Sequence, residues 1–291
     1  MKIGIGVPTT IEGVEGELLL EWARRADASG FSSLSFIDRV AYSNYEVMTT
    51  LGALAAVTTR IRLMPAVILG TTRSTGLLAK QAATVDRLSN GRLSLGLGIG
   101  ARQEDYDAVE LSYRDRGRRF DEQLAMLKRL WRGEPFSETV GPIGPAPVQP
   151  GGPELLIGAF APGALQRVGR YADGYIGVRT PSDMLACFQH VEAGWREAGR
   201  SGKPRFVGLG AFALGPDAAE RGERSVRAYY AYWKDRVDFI ARSTLSTPAA
   251  IRDFVSACEQ IGVDEVLLNP TIAELDQVER LREIVSEHEV V

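Results

Sequence analysis

The sequence predicts an α/β fold: a (β/α)₈ TIM barrel with insertions, formed by residues 1–291 as a single domain. Three observations predict it. Eight short apolar runs alternate with amphipathic helical stretches, no Asn-Gly turn joins two apolar runs, and 291 residues are enough for eight such units. An open doubly wound sheet is the alternative that the same alternation allows.

The first half of the chain supplies four strands. We expect them at residues 2–7, 31–37, 61–69 and 92–99, where apolar residues cluster. Helices at 17–29, 45–59, 75–88 and 114–131 follow them in turn, because Leu, Val and Ala recur there at helical spacing. Gly30 and Gly91 mark two of the helix ends, as is common after the last helical turn.

The second half repeats the pattern after a break. Residues 133–153 are rich in proline and glycine and form a loop whose length favours a functional role. Strands are expected at 155–157, 174–178, 206–214 and 263–268, and helices at 163–171, 182–198, 217–241, 248–260 and 272–288. Thr247 and Pro248 are the residue types preferred at the N-cap and the first position of a helix.

The composition excludes several classes of function. Lys and Arg number 34 against 37 Asp and Glu, so the net charge of −3 offers no basic face for nucleic acid. We expect no membrane span, since no apolar run reaches about 18 residues, and the amino terminus has no apolar stretch of signal-peptide length. Cys187 and Cys258 fit neither a disulfide framework nor a metal site, so we expect a cytoplasmic protein.

The chemistry of such a barrel lies where strands end and helices begin. The chain has only two histidines, His190 and His288, and neither falls at the end of a predicted strand. A histidine-centred triad and a metal site are therefore not expected. We expect a bound organic cofactor to carry the chemistry instead.

Two glycine-rich segments follow predicted strands. Residues 96–101 fit the dinucleotide pattern G-x-G-x-x-A, but no clear helix follows at once, as that pattern requires. The same glycines could let a flat ligand lie close to the backbone or could serve barrel packing alone. Residues 158–164 enter a helix through small side chains, which suits a phosphate group but also a plain turn.

Several motifs together resemble the bacterial luciferase-like oxidoreductases, barrel enzymes that depend on a flavin or a deazaflavin. The most specific is LAKQAATVDRLSNGR at residues 78–92, followed by LGLGIG at 95–100. Others are ADASGF at 26–31, TTRIRL at 58–63, RGRRFDE at 116–122 and RYADG at 170–174. The likeness runs from Met1 to about Leu281, and it implies a barrel with the cofactor ring across the strand ends.

The resemblance also implies a set of site residues. It predicts a non-proline cis peptide bond at Ala66-Val67 against the ring, and a phosphate pocket in the turn after the fifth strand. The expected cofactor-binding residues are Asp38, Ala66, Val67, Gly98, Gly100, Gly158, Ala159 and Phe160. Arg179 is added to them from its place at a strand end, because Arg pairs well with phosphate. Anionic groups of cofactor or substrate are expected at Arg39, Arg73 and Arg102, because Arg pairs well with phosphate and carboxylate.

This chain departs from the family pattern in its acid–base groups. Many members have Asp-His after the second strand, where Asp38-Arg39 stands here. By position, Asp38 and Tyr106 are the remaining candidates for proton transfer.

The resemblance implies an oxidoreductase, either a monooxygenase or a reductase, that acts on a small organic molecule. We slightly prefer the deazaflavin coenzyme to FMN, because the sequence resembles actinobacterial members of the family, many of which use the deazaflavin. A separate reductase would supply the reduced cofactor, and family members are commonly homo-oligomers. The alternatives are a non-catalytic flavin-binding barrel and, less favoured, a nicotinamide-dependent dehydrogenase.

Overall fold

The computed structural model describes residues 1–234 and 236–286. Its strands are β1 (Lys2–Gly6), β2 (Ser33–Ser35), β3 (Arg62–Leu63), β4 (Ile68–Leu69), β5 (Ser94–Gly98), β6 (Glu154–Gly158), β7 (Gly174–Val178), β8 (Arg205–Phe212) and β9 (Glu265–Pro270). Its helices are α1 (Gly16–Ala28), α2 (Val47–Val57), α3 (Thr75–Leu88), α4 (Gln103–Asp107), α5 (Arg116–Trp131), α6 (Pro162–Tyr171), α7 (Pro181–Glu197), α8 (Ala218–Tyr229), α9 (Val237–Arg242), α10 (Pro248–Gln260) and α11 (Asp276–Ile284).

The strands form one parallel sheet in the order β3-β2-β1-β9-β8-β7-β6-β5-β4. Its two ends, β3 and β4, are pieces of a single chain segment. A parallel bridge between Leu63 and Leu93 joins the β3 end to the start of β5, so the sheet curls back on itself. The predicted α/β barrel is confirmed, with eight strand positions occupied by nine strands.

The third strand differs from the prediction of one continuous run over 61–69. Residues 64–67 leave the ladder between β3 and β4, and the Ala66–Val67 peptide bond is cis, as expected. The backbone still bonds to β2 and to the residue after it, since the Met64 N–H donates to the Leu34 carbonyl at 2.8 Å and the Ala66 N–H to the Phe36 carbonyl at 2.9 Å. The result is a bulge that pushes Val67 toward the carboxyl ends of the strands.

Apolar side chains fill two layers. The larger core lies between the sheet and the helices and buries Trp22, Phe31 and Phe206 completely. The smaller lies inside the barrel and is formed by Met64, Ala66, Leu156, Ile176, Val207, Leu209 and Leu267. Inward residues recur at every second position, as the pleat of a strand requires.

Helix boundaries are mostly as predicted, with two differences. A short helix, α4, begins just after the glycine run of β5, and the predicted helix over 217–241 is divided into α8 and α9. The loop over 133–153 packs on α3, where the Asp86 carboxylate accepts the N–H groups of Val148 and Gln149. His190 is exposed on α7, and His288 lies outside the described residues. Among the described helices, none has the length and apolar character to cross a bilayer.

Six polar side chains close the barrel at the amino ends of its strands. We call them the basal ring: Ser32, Arg62, Ser94, Glu154, Arg205 and Glu265. Arg205 lies between Glu154 and Glu265 and pairs with both carboxylates. Ser94 accepts from Arg62 at 2.9 Å and donates to Glu154 at 2.6 Å. Because the ring links five strands and the residue before β2, its role is structural.

Candidate active site

The two ends of the barrel differ in whether their polar side chains are available to bind a ligand. A charged cavity of about 740 Å³ lies at the amino end, but its arginines 62 and 205 already belong to the basal ring. The carboxyl end, which we call the mouth, carries the loops that follow each strand. Active sites of such barrels lie at this end, and the predicted site residues also lie there.

The floor of the mouth is built from the bulge and two glycines. A Cβ on Gly98 would lie 2.7 Å from Val67 Cγ2, and one on Gly158 would lie 2.9 Å from Val67 Cγ1. Both distances are shorter than real Cβ contacts, so only glycine lets the Val67 side chain lie across β5 and β6. Gly96 makes room in the same way for the Pro65 carbonyl, 2.1 Å from its would-be Cβ. The glycine run therefore serves the packing of the bulge as well as the flat floor.

The loops after β6 and β7 place a cation beside a helix start. The Arg179 guanidinium lies 4.8 Å from the Phe160 ring centroid, and both side chains are exposed. Within the described residues, Arg179 has no ion pair, and its φ of +150° is rare outside glycine. Helix α6 begins at Pro162 with Ala161 as its N-cap and no side-chain cap. An uncapped helix start next to a free arginine suits an anion.

Asp38 is buried and bound on two sides. Its carboxylate accepts the Leu69 N–H at 2.9 Å and pairs with Arg73 at 3.0 Å. Arg73 also pairs with the half-exposed Glu46 at 2.8 Å. Burial raises the pKa of Asp38, and the Arg73 charge and the Leu69 N–H act against that rise. Asp38 therefore holds the loop after the third strand, and Arg73 is occupied by two carboxylates.

The arginines at positions 39 and 102 also have protein partners, although the buried Arg102 Nε has none. The Arg39 Nε lies 2.8 Å from Asp105 Oδ2 in a buried ion pair, and the Asp105 carboxylate also accepts two N–H groups of the β2 loop. Arg102 donates to the Tyr229 carbonyl at 2.9 Å and lies 3.8 Å from the Tyr232 ring centroid. The aromatic segment predicted as core or dimer surface thus packs on Arg102. Binding of anions by the three arginines stays a prediction, and any such anion would compete with these partners.

Tyr106 lies on α4 and is completely buried. Its hydroxyl bonds to the Thr71 hydroxyl and donates to the Ile99 carbonyl. Burial raises the pKa of Tyr106. These contacts tie α4 to the loops after the third strand and β5.

We expect a Tyr106→Phe variant to lose about 1–2 kcal/mol of unfolding free energy, because the Ile99 carbonyl and Thr71 hydroxyl lose a partner. Its cofactor affinity should equal that of the parent, since the hydroxyl is enclosed by protein. Urea denaturation and a cofactor titration measure the two quantities. Unchanged stability together with a large fall in turnover would instead assign Tyr106 a catalytic role.

The sequence-based prediction of the site missed Ser35 and placed Asn269 at a strand end without giving it a role. Ser35 ends β2, and Asn269 lies near the end of β9. The available signal was the alternation of Ser33 and Ser35 in a strand that must face a barrel interior. Polar residues at inward positions of a barrel strand are unusual in a packed core.

A family model described as luciferase-like monooxygenase matches residues 1–249. The chain belongs to the luciferase-like monooxygenase family. The predicted family and the predicted enzyme class of oxidoreductase are thereby confirmed. An uncharacterised protein of Mycobacterium tuberculosis is 31% identical over 209 residues, which are 62% of this chain and 72% of the relative. A phthiodiolone/phenolphthiodiolone dimycocerosates ketoreductase of the same species is 32% identical over 170 residues, 54% of this chain and 44% of the relative.

Solved structures of this luciferase-like fold are similar over the full length. A monooxygenase from Streptomyces bottropensis has a TM-score of 0.82 at 22% identity and covers 99% of this chain and 98% of its own. A secondary alcohol dehydrogenase that depends on F420, a deazaflavin, also has a TM-score of 0.82, at 18% identity, with 99% and 100% covered. An FMN-bound monooxygenase component from Pseudomonas putida has a TM-score of 0.75 at 16% identity. The match covers 99% of this chain and 97% of that one. Below 25% identity, these likenesses show the fold.

Proposed function

We propose that this luciferase-like protein is an oxidoreductase that binds the deazaflavin coenzyme and transfers hydride to or from a small organic molecule. The observation that carries the proposal is the free Arg179 beside Phe160 and the uncapped start of α6, at the edge of a flat floor. A flat floor next to an anion site fits a ligand that has a planar ring and a phosphate group. A bound flavin-type ring supplies the hydride chemistry.

The residues of the mouth fit such a ring. Val67 would support its face, and Gly98 and Gly158 leave room for the Val67 side chain to lie beneath the ring. Arg179 would bind the phosphate, with Phe160 stacked on its guanidinium, and the Gly163 N–H in the first turn of α6 would add a donor. Ala66, Gly100 and Ala159 complete the proposed cofactor set.

Proton transfer needs a group near the floor, and Asp38 has that position. Its backbone N–H donates to the Val67 carbonyl at 3.4 Å, so it adjoins the bulge directly. Its pKa is raised by burial. We propose that Asp38 positions the bulge through this bond and through its contact with the Leu69 N–H, and that it is the acid nearest the ring.

Two features support the deazaflavin over FMN. The ketoreductase relative and the alcohol dehydrogenase neighbour both have names that describe reactions at a carbonyl or alcohol carbon. Arg179 and Phe160 are also exposed at the rim, which leaves room for an anionic tail beyond the phosphate. The second candidate is an FMN monooxygenase served by a separate reductase, and the Streptomyces neighbour favours it.

We expect Arg179→Ala to weaken binding of the phosphate-bearing cofactor by about 10- to 100-fold, the value of one charge-assisted contact. Ring fluorescence measures affinity for four ligands: the deazaflavin coenzyme, its phosphate-free chromophore, FMN and riboflavin. Only the phosphate-bearing member of each pair should lose affinity. Arg170→Ala, an exposed arginine at the far end of α6, is the matched control and should change nothing.

The four titrations also choose between the cofactors. Tighter binding of the deazaflavin pair supports the proposal, and tighter binding of the FMN pair supports the monooxygenase. Equal losses for both members of a pair would remove Arg179 from the phosphate site. If the parent protein bound none of the four ligands, the cofactor-dependent function would be refuted.

A further inference from the structure

Loops from three sides of the barrel meet over the mouth. In the closed sheet, two strands separate β2 from β8 and two separate β8 from β5. The ring centroid of Tyr229, at the end of α8, lies 5.1 Å from that of Tyr42 in the β2 loop. The same Tyr229 centroid lies 4.7 Å from the guanidinium carbon of Arg102 in the β5 loop and 6.0 Å from that of Arg39. We call these four side chains, together with Tyr232, the roof.

The two arginines of the roof differ in their counter-charges. Arg39 pairs with Asp105 at 2.8 Å and with Glu104 at 2.5 Å. Within residues 1–234 and 236–286, Arg102 has no ion pair, and its contacts are the Tyr229 carbonyl and tyrosine rings. Arginines are rarely buried unless they are paired, and a ring attracts a cation less strongly than a carboxylate does. The described part of the chain therefore leaves the charge of Arg102 without an opposite charge.

The Arg102 guanidinium is largely unused and is open at one nitrogen. Arginine carries five N–H donors, of which Arg102 uses one, from Nη2 to the Tyr229 carbonyl at 2.9 Å. Its Nε is enclosed and has no partner. The residue keeps 7% of its surface exposed, and Nη1 is neither enclosed nor hydrogen-bonded to any described residue. An anion can therefore reach Nη1 without displacing a protein partner from it.

The surroundings of Arg102 indicate which anion would fit. Its guanidinium carbon lies 3.8 Å from the Tyr232 ring centroid and 5.9 Å from that of Tyr230. Below the roof, the floor begins at Gly98 in the strand that leads to Arg102. A single cation among aromatic rings suits a molecule with one negative group and a flat or apolar body.

We propose that Arg102 is the anion-binding residue of the substrate site and binds the carboxylate of a small apolar or aromatic acid through Nη1. The proposal rests on the proposed function, because it takes the floor below the roof as the place of the ring. It selects a carboxylate over a neutral molecule of the same shape. Since the anionic tail of the cofactor carries the same kind of charge, the test separates these two sources.

Benzoate and benzamide test the site, because they share one shape and differ in charge. Each is titrated by calorimetry into the protein, both free and loaded with the cofactor that the preceding titrations select. In the parent, we expect benzoate to bind about tenfold more tightly than benzamide. Arg102→Gln should weaken benzoate about tenfold and leave benzamide within about twofold. Arg102→Lys keeps the charge and should retain part of the preference for benzoate.

Arg200→Gln is the matched control. Arg200 also lies on an aromatic ring, 3.4 Å from the Trp195 centroid, and also donates to backbone carbonyls. It lies between α7 and β8, at the amino end of the barrel. This variant should leave the affinities for both probes unchanged.

The remaining outcomes overturn the proposal in distinct ways. Equal losses of benzoate and benzamide in Arg102→Gln would make Arg102 a structural residue of the roof. A parent that bound benzamide as tightly as benzoate, or did not bind benzoate, would show no anion site. If Arg102→Gln weakened the deazaflavin coenzyme but not its phosphate-free chromophore, Arg102 would belong to the cofactor's anionic part. If the parent bound no cofactor, the proposed function would fail, while the titrations of the free protein would still test Arg102.

Discussion

Replacing Glu265 by alanine should lower the free energy of unfolding by about 3–5 kcal/mol, the cost of removing one partner from a buried ion pair. The Glu265 side chain is 1% exposed and pairs with Arg205 while it accepts the Ser32 hydroxyl. Without it, Arg205, whose side chain is 20% exposed, keeps only Glu154 as a partner. Urea denaturation followed by circular dichroism measures the change.

The control is an ion pair at the same end of the barrel that faces solvent. Lys203 lies 3.7 Å from Asp264 and is 65% exposed, so Lys203→Ala should cost less than about 1 kcal/mol. A Glu265→Ala variant that lost no more than the Lys203 variant would show that the basal ring does not hold the barrel.

The second large effect concerns the floor. Gly98→Val should weaken cofactor binding about 100-fold, or about 2.8 kcal/mol, because its methyl groups must displace Val67 or fill the floor. The would-be Cβ alone lies 2.7 Å from Val67 Cγ2. Unfolding free energy should fall by only about 1–3 kcal/mol, as is typical of overpacking. Ring fluorescence and urea denaturation measure the two effects on the same preparation.

Gly52→Ala is the matched control for this substitution. Gly52 lies in α2, and a Cβ there meets no atom within 4 Å. This variant should gain about 0.5–1 kcal/mol of stability from helix propensity and keep the parent's cofactor affinity. If Gly98→Val bound cofactor as tightly as Gly52→Ala, the ring would have to lie elsewhere.

The architecture was predictable because its signals are local. Alternating apolar runs and helical periodicity lie within windows of about ten to twenty residues, and α3 spans residues 75–88 as predicted. The family motifs were equally informative about the fold, for a reason the structure makes visible. Asp27 accepts the N–H groups of residues 59–61, and Asp86 fixes the loop over 133–153. These motif residues hold the scaffold together.

The candidate site was harder to predict because its contacts are distant in sequence. Arg39 pairs with Asp105, which is 66 positions away in the sequence, and Arg73 pairs with Asp38, which is 35 positions away. A sequence can place an arginine at the mouth, but it cannot show that a carboxylate already occupies it.

The division of the third strand has a consequence for how the molecule opens. The barrel closes where β3 and β4 meet β5. This seam contains the shortest strands of the sheet, since β3 and β4 are each two residues long. The floor of the mouth is made by the residues between those pieces. A ligand bound on Val67 would contact this seam, so we expect ligand binding to stabilise the closed barrel.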